Sequence, residues 1–416
     1  MMLHNAFGAL AVLSTAVCAQ AQPLLTGLGD LPGGSFYSRA RAVSADGLVV
    51  GGTSYSFNGT TGEDGCCEAF VWTMDSGMQG LGDLPGGAFE SEVFALAADG
   101  LIAFGGGHIG VDLGFEWTAG LGIAGLPELD GGAFGGAAAL AASANGSVVV
   151  GFDYGPNGRE AFRLQMGAGV AKPLGDLPGG DFWSEATGVS ADGQRIVGAS
   201  KSGSGTEAFV WTAAQGMQGL GDLPGGGFLS RANAIAGDGL TIVGMGSSAS
   251  GPEAFRWTQA EGLVGLGDLG GGAFASEALA TSANGSVIVG RASGPGGDEA
   301  FIWTSAGGMR SLSSVLEDDF GLDLGGWQLR VAYGVSADGR TIVGRGVNPE
   351  GNTEAWLARL GGCYADCTGG GGLDLFDFLC FVNRFNAGDP DADCDADGVL
   401  SLFDFLCFVN VFNAGC

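Results

Sequence analysis

Through most of its length the chain is written in short runs in which apolar and polar residues alternate, each closed by Gly, Pro, Asp or Asn. A period of two puts one face of a strand against a core and the other toward solvent. The run Ala40 to Ser44 enters an Asp46-Gly47 turn, and Leu48-Val49-Val50-Gly51 leaves it, which is a β-hairpin signature. A third run reads Glu-Ala-Phe-x-Trp-Thr at Glu68 to Thr73, Glu207 to Thr212, Glu253 to Thr258 and Glu299 to Thr304, and its aromatic residues favour a strand. A fourth, such as Met217 to Leu223, leads through Pro224-Gly225-Gly226 into the next unit.

This four-strand unit recurs. The Asp or Asn of its hairpin turn stands at 46, 99, 145, 192, 238, 284 and 338, in steps of 53, 46, 47, 46, 46 and 54 residues, so a unit of about 46 residues is present seven times. Four short strands in that length match one blade of a β-propeller, with an open solenoid as the competing arrangement. The ends favour the ring. The last copy stops after Glu354-Ala355-Trp356-Leu357 without a fourth strand, while Leu25 to Leu31 is a fourth strand without its first three. Joined, the two fragments complete one unit, which is of use in a ring and of none in an open stack. The expected fold is therefore mainly β, a seven-bladed propeller over residues 22–360.

Composition changes this picture little. Glycine, at 84 residues, follows no three-residue period and sits among Val, Ile, Phe and Trp, which excludes collagen and fits many turns. A formal charge of -29 excludes nucleic acid and anionic membrane surfaces as broad partners and favours calcium or a basic partner, although acidity also keeps a glycine-rich surface soluble. An apolar run from Ala6 to Val17, followed by Cys18-Ala19-Gln20-Ala21, reads as a signal peptide over residues 1–21, cleaved after Ala21 or after Ala19. The protein is expected to be secreted, without membrane insertion.

Eight further cysteines fit an oxidising compartment: Cys66 and Cys67 are adjacent, and Cys363, Cys367, Cys380, Cys394, Cys407 and Cys416 crowd into the last segment. Cys66 and Cys67 form a vicinal disulfide or pair elsewhere. The six form a disulfide framework with fifteen possible connectivities. A 27-residue pseudo-symmetry relates Cys367 to Cys394 and Cys380 to Cys407, which leaves Cys363 and Cys416 to clasp the ends.

That last segment, residues 361–416, changes both period and chemistry. Asp393, Asp395, Asp397, Val399, Ser401 and Asp404 fall at positions 1, 3, 5, 7, 9 and 12 of a loop with Gly398 at position 6. This spacing aims carboxylates inward, supplies a main-chain carbonyl at Val399 and starts a helix at the last ligand, the EF-hand-like arrangement for Ca2+. The frame returns 27 residues earlier in a degenerate form with Asp366, Thr368, Asp374 and Asp377, where Gly370 replaces an anionic ligand. Weaker calcium binding, or none, is expected there. Each loop opens one helix-like segment, Phe376 to Asn383 and Phe403 to Asn410.

The motifs LGDLPGG, SADG, VVG and EAFxWT resemble the extracellular HAF repeats of bacterial secreted and surface proteins over residues 25–360, which implies export and surface display but no defined activity. The paired loop-helix units with repeated FDFLCFxN and a terminal Gly-Cys resemble a cysteine-bearing dockerin of planctomycete type. In dockerins, loop positions 10 and 11 contact a cohesin partner. The resemblance thus implies Leu375, Phe376, Leu402 and Phe403 as partner-binding residues for a cohesin-like or other cell-surface protein; the alternative is that these side chains pack the module's own core.

No catalytic constellation is unique in the sequence. His108 sits where a repeat has lost its Glu-Ala pair and reads as a degenerate loop residue. Carboxylates such as Asp30, Asp83, Asp222, Glu160, Glu207 and Glu354 recur once per repeat, as turn caps do and as an acid–base pair does not. Two insertions, Ser54 to Cys67 and Ser313 to Arg330, break the period and are candidate binding loops. The leading expectation is a secreted, non-catalytic display or scaffold protein anchored through its calcium module. A carbohydrate- or protein-binding propeller, with Tyr55 and Phe57 stacking on polysaccharide, is the first alternative, and a glycoside-active enzyme using channel carboxylates such as Asp318 is the second.

Overall fold

A computed structural model describes residues 23–57, 64–86, 89–108, 112–127, 136–361, 367, 375–387, 392 and 400–414. The chain divides into a β unit, Pro23–Leu360, and a second unit that includes Gly361–Cys416. The expected signal segment lies outside the described residues.

The β unit holds strands that pair in sets of four. In one set, Gly225–Ile235, Thr241–Ser248, Gly251–Thr258 and Gly262–Gly265 pair in antiparallel sequence order, with Ile235 opposite Ile242 and Ile242 opposite Trp257. The last set begins with Gln328–Val335, Thr341–Val347 and Thr353–Arg359, and its fourth strand is Leu24–Gly27, with Leu24 opposite Arg359 and Gly27 opposite Trp356. The two ends of the unit are thus stitched by main-chain hydrogen bonds, as the offset of the repeats predicts. Single parallel contacts, Tyr37 with Thr353 and Thr206 with Leu229, link neighbouring sets.

The Phe of each Glu-Ala-Phe segment packs between one set and the next. Phe209, fully buried, joins Ile196 and Ala186 of its own set to Val148 and Val150 of the preceding one. At the junction of first and last sets, Phe70, Val50 and Ala40 meet Val343, Ala355 and Leu357. Because each sheet buries both faces against its neighbours, its strands carry apolar residues on both: Ile196 and Phe209 on one face, Val197 and Ala208 on the other.

Two polar devices repeat at these junctions. The Ser opening a first strand donates through Oγ to a Gly carbonyl and accepts from the Ala N–H of the previous set, as with Ser230 between Gly221 (2.5 Å) and Ala208 (2.9 Å). Ser38 makes the same pair of bonds to Gly29 (2.5 Å) and Ala355 (2.9 Å), across the chain ends. The hairpin turns form a circuit: main-chain N–H groups of Ala45, Ala98, Ala144, Ala191, Asp238, Ala283 and Ala337 donate to the carbonyls of Ala98, Ala144, Ala191, Gly237, Ala283, Ala337 and Ala45 at 2.7–3.1 Å. The circuit returns to its starting residue.

The second unit contains two helices, Leu375–Ala387 and Leu402–Ala414. Phe381 and Phe408, both buried, stack with ring centres 3.9 Å apart, and Phe378, Phe385, Phe405 and Phe412 surround them.

Candidate functional site

Of the predicted calcium ligands, Asp377, Ser401 and Asp404 are described; Asp366, Thr368, Asp374, Asp393, Asp395, Asp397 and Val399 lie outside the described residues. Asp377 and Asp404 occupy equivalent places in the first turns of the two helices, and both are fully buried. The main-chain N–H of Ser401 donates to Asp404 Oδ2 at 2.7 Å, so this carboxylate caps its own helix while standing at the expected twelfth loop position. Residues 361–416 contain nine aspartates and one arginine, Arg384, and carboxylate oxygens are the donors that a hard divalent cation takes; among the described residues no three potential ligands cluster. Three of the four residues expected to touch a partner behave differently from the core: Leu375, Phe376 and Leu402 expose 67%, 69% and 69% of their surfaces. The side chain of Phe403 is outside the described residues. A disulfide joins Cys367 to Cys380, thirteen residues apart, within the first loop-helix unit. Cys363, Cys394, Cys416 and the side chains of Cys66 and Cys407 lie outside the described residues; Cys67 is half-buried.

Within the β unit a cavity of about 370 Å³ is lined by the first strands of all the sets. Each of these strands carries a β-bulge, and the unpaired bulge residue lines the cavity: Arg41, Phe94, Leu140, Thr187, Asn233, Leu279 and Tyr333. The alternation of buried and half-buried positions gives no hint that Arg41 differs from Arg39, since the extra residue re-aims a side chain only where the ladder slips. The available signal was internal: three residues before each Ser/Ala-Ala/Gly-Asp/Asn-Gly turn the repeats differ most, while the flanking positions remain Ala, Val or Gly.

Arg41 is the charged residue of the ring. Its Nε donates to Glu92 Oε1 at 2.8 Å, while Arg39 Nη2 holds Oε2 of the same carboxylate at 2.5 Å. The Arg41 guanidinium lies 4.9 Å from the ring centre of Tyr333 and 5.6 Å from that of Phe94. Glu185 is likewise shared, by Arg159 (2.6 Å) and Arg231 (3.1 Å). Thr187 Oγ1 donates to the Ala232 carbonyl at 2.7 Å, and Asn233 Nδ2 donates to that of Ala278 at 2.8 Å, so both tie one set to the next.

The recurring glutamates are structural. Glu68, Glu160, Glu207, Glu253 and Glu354 accept from the N–H groups of Gly82, Gly175, Gly221, Gly267 and Gly29 at 2.8–3.1 Å. Burial raises the pKa of Glu160 above the ordinary value, and Asp83 is raised for the same first reason. His108 Nδ1 lies 2.9 Å from Asp112 Oδ1 across a strand pair, and this hydrogen bond raises its pKa.

The first insertion lengthens a hairpin, Val49–Phe57 with Asp64–Thr73. Tyr55 there stacks on Tyr37 at 4.4 Å, so one ring face is taken within the protein, whereas Phe57 is exposed. The second insertion begins with a helical turn, Leu312–Asp319, anchored by buried Leu312, Val315 and Leu316, and leaves Glu317 and Asp318 exposed. Asp319 pairs with Arg310 at 2.5 Å, which lowers its pKa.

No family model matches the chain, and no curated protein matches it in sequence. Among solved structures it is similar to TolB from Acinetobacter baumannii, at 13% identity and a TM-score of 0.44 over 64% of this chain and 63% of that one. It is also similar to an oligogalacturonate lyase in complex with manganese, at 12% identity and 0.49 over 82% and 97% of the two chains. A third is the β-propeller domain of the Trilobed protease from Pyrococcus furiosus, with an open velcro topology, at 9% identity and 0.47 over 77% and 94%. The chain is a mainly β protein, and its structural neighbours include a propeller.

Proposed function

We propose that the β unit is a closed seven-bladed propeller, exported and displayed by a dockerin-like module that binds calcium and docks on an extracellular or cell-surface protein. The observation that carries the docking role is the exposure of Leu375, Phe376 and Leu402 at the starts of two helices whose buried phenylalanines, Phe381 and Phe408, build a core, with Leu379 and Leu406 one turn on also exposed. Apolar side chains placed twice at equivalent positions and left in water suit an interface. Calcium held by Asp393, Asp395, Asp397, Val399, Ser401 and Asp404 would order the loop ahead of the second helix. The closed ring is supported by the circuit of turn hydrogen bonds and by the Leu24–Gly27 strand.

The test uses the full chain, immobilised, with solubilised envelope from the producing organism, in calcium and in EGTA. A protein retained only in calcium, and released by L375S/F376S/L402S, is the expected result. Retention that ignores both EGTA and those substitutions, or no retention at all, sinks the anchoring role.

A second reading has its own support. Phe36, Phe57, Tyr154 and Phe228 are exposed aromatics, and Gly33 at the start of a first strand pairs with Ser56 beside Phe57, which places Phe36 and Phe57 at one end of their sheet. Such rings suit stacking on sugars. A glycan array with no signal above background removes this reading.

A further inference from the structure

We propose that the cavity ringed by the bulge residues is a binding site for a small monocarboxylate with an apolar body, recognised by Arg41. The ring is chemically mixed. Phe94 and Leu140 stand on neighbouring sets and Leu279 between Asn233 and Tyr333, whereas Arg41, Thr187, Asn233 and Tyr333 bring polar groups. A wall that mixes polar and apolar groups, around a volume of about 370 Å³, is within the range of a small-molecule site.

Charge selects the ligand's sign. Two guanidiniums, of Arg39 and Arg41, share the one carboxylate of Glu92, so this corner carries one surplus positive charge. On the far side Asn233 donates to Glu277 Oε1 at 3.2 Å, and Arg291 pairs with that carboxylate at 2.9 Å, so the surplus at Arg41 is not cancelled there. The chain as a whole stands at -29. That exterior opposes an anion at long range, but beyond about 10 Å it is screened by salt, while a guanidinium in a partly desolvated wall acts at contact.

Geometry then selects the group. Arg41 spends Nε on Glu92, and among the described residues neither Nη nitrogen has a protein acceptor. The rings of Phe94 and Tyr333 lie within cation–π reach of the guanidinium. A planar fork held by its third nitrogen and presenting its remaining donors is matched by the two oxygens of a carboxylate. The Tyr333 hydroxyl, which also has no partner among the described residues, is a further donor on the same wall, and the Asn233 Oδ1 acceptor suits a neutral polar substituent better than a second anion.

The experiment takes the full chain and two isosteric probes, 3-phenylpropionate and 3-phenylpropanamide, followed by saturation-transfer NMR and calorimetry. The acid is expected to bind roughly tenfold or more tightly than the amide, the size of one charge-assisted bidentate contact. Arg41→Gln abolishes that preference, and Arg163→Gln, at a half-buried arginine on the third strand of its set and outside the cavity lining, leaves it intact. Should Arg41→Gln fail to fold by circular dichroism, Arg41→Lys keeps the charge without the fork and is expected to retain the preference at weaker affinity. Equal binding of acid and amide, absence of binding by either at millimolar concentration, or a preference that survives Arg41→Gln overturns the proposal.

Discussion

A Cβ at Gly244 would stand 1.9 Å from the Arg231 carbonyl oxygen, and one at Gly198 would stand 1.9 Å from that of Glu185. The same approach recurs at Gly52, Gly105, Gly151, Gly290 and Gly344, at 1.8–2.1 Å from the carbonyl of the facing strand. Each of these glycines sits beside a bulge, where the first strand's backbone is pushed onto the second. No rotamer change relieves a clash with a carbonyl. Gly244→Ala is therefore expected to destabilise the β unit by about 2–4 kcal/mol, at or above the usual range for overpacking, as read from urea unfolding followed by tryptophan emission. Glu160 gives a pH dependence at the same scale. Because burial raises its folded-state pKa above the ordinary 4.5, the native chain holds a proton that the unfolded chain has lost at pH values between the two. Stability falls as pH rises through that window. Glu160→Gln should remove this component from the plot of unfolding midpoint against pH, and an unchanged slope would exclude it.

The Leu24–Gly27 strand is the element on which the proposed ring closure depends, since it joins residues more than three hundred positions apart in the chain. Leu24 and Arg359 are direct cross-strand partners. The Leu24→Cys/Arg359→Cys pair is expected to oxidise without denaturant and to stabilise the unit relative to its reduced form by up to about 5 kcal/mol for so long a loop, read as a raised unfolding midpoint. A failure to cross-link, judged by mobility on a non-reducing gel, would argue that the ends do not meet. This element was legible in the sequence, because a repeat cut out of phase leaves complementary fragments such as Leu25 to Leu31 and Glu354 to Leu357. The hairpins were legible for the same reason that they form, an Asp-Gly or Asn-Gly pair between apolar runs, with Gly47 at φ +74°. The bulges were not, because alternation counts residues and a bulge adds one without altering the pattern of exposure. Arg39 and Arg41 read alike in sequence, yet the first lies in the ladder opposite Thr53 and the second stands outside it. The glycine facing each bulge was the unread clue.

At the scale of the molecule the two units can be followed separately. All eight tryptophans, Trp72 to Trp356, belong to the β unit, and none lies in residues 361–416. Removing calcium with EGTA should lower far-UV helical signal from the second unit while leaving tryptophan emission and its thermal midpoint unchanged. A fall in both together would show that the ion supports the β unit as well. The seven bulge residues give the molecule a second kind of separation. A residue outside the ladder leaves the strand pairing undisturbed when it is replaced, whereas the Ser staples, the buried Phe column and the facing glycines hold the frame. Side-chain chemistry at these positions accordingly differs from one copy to the next, as Arg, Phe, Leu, Thr, Asn, Leu and Tyr. Arg41, Thr187 and Asn233 also bond to the next set, whereas Phe94, Leu140 and Leu279 have no side-chain hydrogen bond to lose, so a library randomised at those three addresses would sample new wall chemistry on an intact host.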